Sequence, residues 1–140
     1  MRYILDSSVA LRWVLPEEDA GPAMQLRQRL WDGQDQMFAP DVFAVEVAHS
    51  LTRAERQQRI LFGQAKQFLG LILAAPPHFQ ASLPLIDHAV EISSTHRIGV
   101  YDCLYIALAE QLGCDMITCD ERLVVNLQPH GFPIASLGSI

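Results

Sequence analysis

The sequence lacks the features that mark membrane-spanning, secreted or zinc-binding proteins. Its 140 residues contain no run near the ~18 to 20 consecutive apolar residues that a membrane helix needs. The first thirteen residues carry charge where a signal peptide is apolar, which favours a cytoplasmic protein. Three cysteines without CxxC spacing argue against a disulfide framework or a zinc site, so Cys103, Cys114 and Cys119 are predicted to be reduced thiols.

Positive charge is also scarce, because ten basic residues, with Lys66 the only lysine, face sixteen acidic ones. The net charge of -6 looks hostile to nucleic acid, since nonspecific phosphate binding normally depends on Lys and Arg clusters. Apolar residues make up 50% of the chain and charged residues 19%, so disorder is excluded and a core is assured. No repeat, low-complexity tract or Gly/Ser linker divides the chain, which indicates a single domain over residues 1–140.

Short apolar runs alternate with segments of helical periodicity. Strands are predicted at residues 3–5, 37–39, 79–83, 116–118 and 134–137. Helices are predicted at residues 9–15, 17–31, 42–58, 62–74, 84–97 and 100–112, with a last short helix that begins near Glu121. This alternation indicates a mostly parallel sheet covered on both faces, an α/β three-layer sandwich. Ligands of such sheets bind beyond the carboxyl ends of the strands, where Asp6 and Asp120 are expected to lie.

Four carboxylates stand in apolar surroundings. They are Asp6 after YIL, Glu46 within VFAVEVA, Asp102 within GVYDCLYIALA, and Asp120 after MITC. Three of them have a structural alternative, because Asp6 and Asp120 are placed to cap the following helices, and Asp102 lies near a helix N-terminus that favours acids.

Glu46 has fewer alternatives, because its helix is apolar nearly all round and is expected to be buried on most sides. A buried carboxylate needs a partner. Arg53 follows seven residues later, which is roughly 10 Å along the helix axis and too far for a direct bridge. A metal ion, or an arginine from elsewhere in the chain, is the predicted partner.

Convergence of the four acids at one edge of the sheet would require a cation. Two carboxylates ~4 Å apart repel by about 4 kcal/mol at an effective dielectric constant of 20. Oxygen ligands select Mg²⁺ or Mn²⁺, which commonly bind a few carboxylates together with a substrate phosphate. One or two such ions can activate water and stabilise the leaving oxygen of a phosphodiester.

Four motifs in order, YILDSSVALRW, APDVFAVEVAHSL, IGVYDCLYIALAEQLGC and MITCDERL, resemble those of the PIN-domain nucleases, in particular VapC-type toxins of toxin-antitoxin pairs. The resemblance covers nearly the whole chain. It implies a PIN-like α/β/α sandwich and a Mg²⁺- or Mn²⁺-dependent endoribonuclease that hydrolyses RNA with a metal-activated water and is held in check by a cognate antitoxin. By the same resemblance the catalytic and metal-binding acids are Asp6, Glu46, Asp102 and Asp120.

The resemblance also assigns two supporting hydroxyls, and the positions of the arginines near the acids in the sequence suggest phosphate contacts. Ser8 and Thr118 would orient carboxylates or waters, although ordinary cap and turn hydroxyls are the alternative. Arg12, Arg53 and Arg97 could contact RNA phosphates, and so could Arg56 and Arg59, although a solvated face or antitoxin contacts are equally compatible with any one of them. The five histidines show no close spacing, which disfavours a histidine acid-base nuclease.

Association is expected from the same family. PIN toxins often form homodimers, or larger assemblies with an antitoxin segment in an apolar groove. Residues 61–74 carry more apolar area than one helix stripe needs, and either core packing or an interface accounts for them.

Other α/β functions match less well. A receiver domain needs an acidic pair at the first strand, and a haloacid-dehalogenase-like phosphatase needs Asp-x-Asp, whereas Ser7 and Ser8 follow Asp6. A noncatalytic PIN module and a PIN-type DNA or structure-specific nuclease stay open. Without the four site acids the rest of the chain has a charge of only -2, so most of the imbalance belongs to one predicted pocket.

Overall fold

A computed structural model describes residues 1–16 and 20–140. In that part of the chain the strands are β1 (Arg2–Leu5), β2 (Gln36–Pro40), β3 (His78–Gln80), β4 (Asp115–Thr118) and β5 (Ile134–Ser136). The helices are α1 (Ser7–Leu11), α2 (Gly21–Trp31), α3 (Phe43–Arg56), α4 (Gln64–Leu73), α5 (Ile86–His96), α6 (Val100–Leu112) and α7 (Glu121–Leu127). None of these helices is long and apolar enough to cross a membrane.

The strands form one sheet in the order β3-β2-β1-β4-β5, and every pair is parallel. The predicted mostly parallel sheet is therefore confirmed. β1 is the central strand, with Ile4 opposite Phe38 of β2 and Leu5 opposite Ile117 of β4. The chain extends the sheet to one side of β1 with β2 and β3 and to the other side with β4 and β5. This reversal opens a crevice at the carboxyl end of β1.

Burial along β1 shows that both faces of the sheet are covered. Tyr3, Ile4 and Leu5 are buried in succession, and successive side chains of a strand point to opposite faces. α6 packs against β1, β2 and β4, and its residues 103–109 are all buried. Its continuous apolar sequence follows from this central position, and its observed bounds are those predicted.

The first helix differs most from its prediction. α1 begins at Ser7, directly after Asp6, and ends at Leu11 instead of Leu15. The amides of residues 12–14 bond to carbonyls three residues earlier, so the chain continues as tight turns instead of an α-helix. The predicted start of the second helix at residues 17–19 lies outside the described residues.

Two other bounds shift for local reasons. Pro84 lies in a single 3₁₀ turn over Leu83–Leu85, and α5 begins only after it. β3 ends at Gln80, earlier than predicted, and the chain turns at Ser82, whose hydroxyl donates to Asp41.

The prediction that α3 is buried on most sides is wrong on one side. Phe43, Val47 and Leu51 are fully buried in the core, whereas Val45 is 70% exposed. The helix therefore has one core face and one open face, and the open face carries Val45 together with the polar residues His49, Thr52 and Arg56.

The segment over residues 61–74 also divides in two. Ala65 and Ile72 of α4 are buried, and the helix packs on α3. Leu61 and Phe62, which precede α4, are 72% and 99% exposed. Core packing thus explains the helix, and only the residues before it, with the half-exposed Leu71, remain open to a partner.

Candidate active site

The four predicted acids come from four elements that meet at the carboxyl edge of the sheet. Asp6 directly follows β1, and its amide donates to the carbonyl of Ile117 in β4 at 3.1 Å, so the two strands stay paired up to this residue. Asp120 follows β4, while α3 carries Glu46 and α6 carries Asp102. The charges of Asp6, Glu46 and Asp120 each raise the pKa of at least one other acid of the four.

Asp6 is buried, at 6% exposure, and is held by two hydroxyls. Its Oδ2 accepts hydrogen bonds from Ser8 Oγ at 2.6 Å and from Thr118 Oγ1 at 2.8 Å. Its side chain makes no capping bond to α1, so the capping alternative does not describe it. Burial raises the pKa of Asp6, the two hydroxyl bonds lower it in part, and the charge of Asp120 raises it further.

The same hydroxyls connect Asp6 to the end of β4. Ser8 Oγ accepts from the amide of Cys119 at 3.1 Å, and Thr118 Oγ1 accepts from the amide of Asp120 at 3.0 Å. The two hydroxyl oxygens are 3.3 Å apart. The orientation of the Asp6 carboxylate is therefore fixed by side chains and backbone of both strand ends.

Glu46 has a partner that the sequence reasoning missed. The hydroxyl of Tyr105 donates to Glu46 Oε1 at 2.6 Å, so neither an arginine nor a metal ion is needed to satisfy this oxygen. A signal was available, because Tyr105 lies three residues after Asp102 on the same face of α6, and a buried tyrosine hydroxyl requires a hydrogen-bond partner. Burial raises the pKa of Glu46, the Tyr105 bond lowers it, and the charge of Asp6 raises it.

Asp102 is the least compensated of the four acids. Its pKa is raised to about 7, first by burial and then by the charges of Asp6, Asp120 and Glu46. None of those causes is a hydrogen bond, so no donor in the described part of the chain stabilises its ionised form. The pKa of Asp102 is therefore raised by the charges of all three other acids as well as by burial.

Asp120 combines two roles that the sequence left as alternatives. Its Oδ1 accepts from the amide of Leu123 at 3.2 Å and caps α7, as the structural alternative predicts. The side chain is exposed, yet its charge raises the pKa of both Asp6 and Asp102. Glu121, the first residue of α7, is exposed beside it.

Two clefts open beside the acids. The first has a volume of about 450 Å³ and is lined by Ser8, Leu11, Arg12, Leu15, Ser50, Arg53, Gln57, Arg59 and Cys119. The second has a volume of about 520 Å³ and is lined by Ser7, Val42, Val45, Glu46, His49, Ser50 and Tyr101. Positive charge is thus concentrated on one side of the acids. Arg97 ends α5 and lines neither cleft, so it is not brought together with Arg12 and Arg53.

The sheet order, the acids and their motifs agree with one family. Residues 3–125 match the family model of the PIN domain, and this segment contains all four acids. The chain belongs to the PIN-domain family. The resemblance inferred from the motifs is confirmed.

Sequence relatives of this PIN domain include VapC-type proteins. It is 34% identical over 128 residues to Ribonuclease VapC12 of Mycobacterium tuberculosis, across 91% of this chain and 92% of that one. It is 27% identical over 127 residues to Ribonuclease VapC3 of Pyrobaculum aerophilum, across 88% of this chain and 92% of that one.

Solved structures share the fold of this PIN domain. PAE2754 from Pyrobaculum aerophilum superposes with a TM-score of 0.72 at 16% identity, across 99% of this chain and 91% of that one. VapBC2 from Rickettsia felis, bound to a DNA fragment from its promoter, gives a TM-score of 0.68 at 11% identity, across 97% and 98%. These identities carry the fold alone, and they confirm the predicted PIN-like sandwich.

The acids of this PIN domain suit a hard divalent cation in donor type and in charge. All four offer carboxylate oxygens, and the pKa of Asp102 is raised first by burial and then by negative charge that a cation would neutralise. Within residues 1–16 and 20–140, however, no three His, Cys, Asp or Glu side chains are grouped as ligands of one ion. The chemistry of the donors, and not an assembled coordination shell, is what points to a metal.

Proposed function

We propose that this PIN domain is a Mg²⁺- or Mn²⁺-dependent endoribonuclease and the toxin of a toxin-antitoxin pair. The observation that carries the proposal is the convergence of four carboxylates, in which burial first, and then the charges of the other three acids, raise the pKa of Asp102 to about 7. Asp6, Glu46 and Asp120 each accept at least one hydrogen bond, whereas Asp102 accepts none from the described residues and its charged form is opposed by the other three acids. The ribonuclease names of the VapC relatives supply the substrate class.

In this proposal Asp6, Glu46, Asp102 and Asp120 hold one or two ions. The ion would supply a water of lowered pKa and neutralise charge on the phosphodiester. Ser8 and Thr118 keep Asp6 oriented through their hydrogen bonds to its Oδ2. No protein nucleophile is required, so the RNA chain would be hydrolysed without a covalent intermediate.

The first cleft is the proposed path of the RNA backbone. Arg12, Arg53 and Arg59 line it, and Ser8 connects it to Asp6. Phosphates bound there would be held beside the acids by local positive charge, although the chain as a whole is negative. Since Arg97 lines neither cleft, Arg53→Gln is expected to raise the KM for RNA several-fold, and Arg97→Gln is expected to change it less.

The deciding experiment uses the purified protein and end-labelled total RNA. Cleavage is expected with Mg²⁺ or Mn²⁺ and not with EDTA, and Asp102→Asn is expected to be inactive under all of these conditions. A labelled single-stranded DNA of the same length tests the alternative of a DNA nuclease. Cleavage without metal, or cleavage by the variant, would contradict the proposal.

The proposed partners are a cognate antitoxin and a second copy of this chain. VapBC assemblies are among the similar structures, and Leu61 and Phe62 present apolar surface to solvent. A small reading frame that overlaps the gene upstream is expected to encode the antitoxin. Co-expression of the two proteins is expected to give a stable cytoplasmic complex that has no ribonuclease activity. Light scattering of the free protein is expected to give the mass of a dimer.

A further inference from the structure

Tyr105 lies beneath the acids at the meeting point of three helices. Its side chain on α6 is fully buried, and its hydroxyl donates to Glu46 Oε1 of α3 at 2.6 Å. The side chain of Ser7, the first residue of α1, lies close enough to the same hydroxyl to lower its pKa. Residues of three helices thus meet at this hydroxyl, which joins α6 to α3 by a hydrogen bond.

The direction of the bond between Tyr105 and Glu46 is unambiguous. A tyrosine hydroxyl has one proton, and an ionised carboxylate can only accept. Burial and the charge of Glu46 raise the pKa of Tyr105 far above its usual range, so the hydroxyl remains a donor. The bond takes up Oε1 of Glu46 and leaves Oε2 without this contact.

The helix face around Glu46 gives it little other support. Val45, its neighbour in the chain, is 70% exposed, and Glu46 itself lines the second cleft. A half-buried glutamate has three side-chain torsions and can adopt several rotamers unless a contact selects one. Tyr105 supplies that contact to Glu46 from α6, as Ser8 and Thr118 supply contacts to Asp6.

We propose that Tyr105 is a positioning residue that holds the carboxylate of Glu46 in its working orientation at the acid cluster. Tyr105 lines neither the first nor the second cleft, and in the proposed reaction it does not contact the RNA. It therefore acts through Glu46. This inference rests on the proposed function, because that function gives Glu46 its role as a metal ligand. The orientation of the Glu46 side chain can nevertheless be measured without an activity assay.

The main variant is Tyr105→Phe, which keeps the ring and removes the donor. Tyr3→Phe is the matched control, because Tyr3 is also buried and lies at the opposite end of β1, against the cleft around Met1 and Asp115. Crystal structures of the metal-free proteins are expected to show Glu46 displaced or in several rotamers in Tyr105→Phe, and unchanged in Tyr3→Phe. Glu46 in the wild-type rotamer of Tyr105→Phe would overturn the proposal.

Binding and kinetics give a second readout. Removal of a group that orients a metal-binding carboxylate typically costs about 10- to 100-fold in affinity or activity. Mn²⁺ alone, titrated by calorimetry, is expected to bind Tyr105→Phe about 10-fold more weakly than wild type, with a similar fall in kcat and little change in the KM for RNA. An unchanged Mn²⁺ affinity and kcat, or a change in KM alone, would overturn the proposal.

A double-variant cycle separates positioning from general support of the fold. In the background of Glu46→Ala, Tyr105→Phe is expected to cause no further loss of Mn²⁺ affinity or of residual kcat, because its target is gone. Additive losses would show that Tyr105 acts elsewhere. Ser7→Ala, which removes the Ser7 hydroxyl from beside that of Tyr105, is the fallback if Tyr105→Phe fails to fold, and it is expected to weaken Mn²⁺ binding in the same direction, whereas wild-type affinity would count against the proposal.

The outcomes separate this inference from the proposed function. A wild-type protein that binds no Mn²⁺ and cuts no RNA would refute the nuclease, while the crystal structures would still decide whether Tyr105 orients Glu46. A fully active Tyr105→Phe variant with Glu46 in place would refute the inference and leave the nuclease intact.

Discussion

The acid cluster consists of a strand half and a helix half that are supported very differently. In the strand half, Asp6 receives two hydroxyl donors, and Asp120 accepts a backbone amide. In the helix half, Glu46 receives one hydroxyl, and Asp102 receives no hydrogen bond from the described residues. Side chains that follow a strand can bond to free backbone amides and to nearby hydroxyls, whereas the backbone groups inside a helix are already bonded to one another. The acids of the strand half are therefore held in fixed orientations, and the acids of the helix half carry negative charge that a bound cation would neutralise.

The largest expected effect comes from removal of the uncompensated charge in the helix half. Asp102→Asn keeps the size of the side chain and makes it neutral, so RNA cleavage is expected to fall by more than the ~100-fold that outer-sphere substitutions reach. Because the charged form of Asp102 is disfavoured in the fold, the metal-free variant is expected to be as stable as wild type or more so. Cleavage assays and thermal melts measure the two quantities.

A helix-dipole role for Asp102 would give the opposite pattern. Activity would survive the Asn substitution and stability would fall, because an acid in the first turn of a helix is favourable there.

The next effect tests the rigidity of the strand half. Thr118 is fully buried, and it donates to Asp6 while it accepts from the amide of Asp120. Thr118→Val preserves the shape but leaves the Asp120 amide without that acceptor and Asp6 with one donor fewer, so activity is expected to fall about 10- to 100-fold and stability by ~1 to 3 kcal/mol. Steady-state kinetics and urea unfolding measure these losses.

Thr52→Val is a matched control for Thr118→Val, because the Thr52 hydroxyl on exposed α3 surface bonds only a carbonyl of its own helix. A loss of stability without any loss of activity in Thr118→Val would show that the hydroxyl supports the sheet and not the orientation of Asp6.

Sequence reasoning predicted the acids and, by resemblance, the hydroxyls of Ser8 and Thr118 that bond Asp6, but it missed the support of Glu46. The motif around Asp6 indicated its place after a strand, and the apolar run around Asp102 gave the bounds of α6, since both depend on local patterns. Tyr105 was missed because its bond to Glu46 joins residues 59 positions apart. The apolar pattern of α6 indicates that a buried tyrosine there needs a hydrogen-bond partner, but only tertiary packing shows that the partner is Glu46.

The same limit explains the error on α3. Composition made α3 look buried all round, but an apolar residue such as Val45 is compatible with an open face, which only the arrangement of neighbouring helices decides.

The pH dependence of stability tests the charge of Asp102, in the helix half, without any substrate. The pKa of Asp102 rises from 3.8 to about 7 on folding, so the folded state retains a proton that the unfolded state releases. The stability that this group contributes is complete below the unfolded pKa and is lost as the pH rises towards 7. The melting temperature of the metal-free protein is therefore expected to fall between about pH 4 and pH 7 by more in wild type than in Asp102→Asn.

The smallest effect separates the cap of Asp120 from its charge. Both Asp120→Asn and Asp120→Ala remove the charge, but only Asn can still accept from the Leu123 amide, so Ala is expected to lose ~1 kcal/mol of stability in urea unfolding while Asn stays near wild type. Because Asp120 is exposed and its charge is screened by water, both variants are expected to lower cleavage by similar and modest factors. If the Asn variant cleaves RNA normally and the Ala variant does not, the cleavage rate depends on the stability of α7. Asp120 would then support the site through the helix that it caps. The strand half would contain one functional acid instead of two.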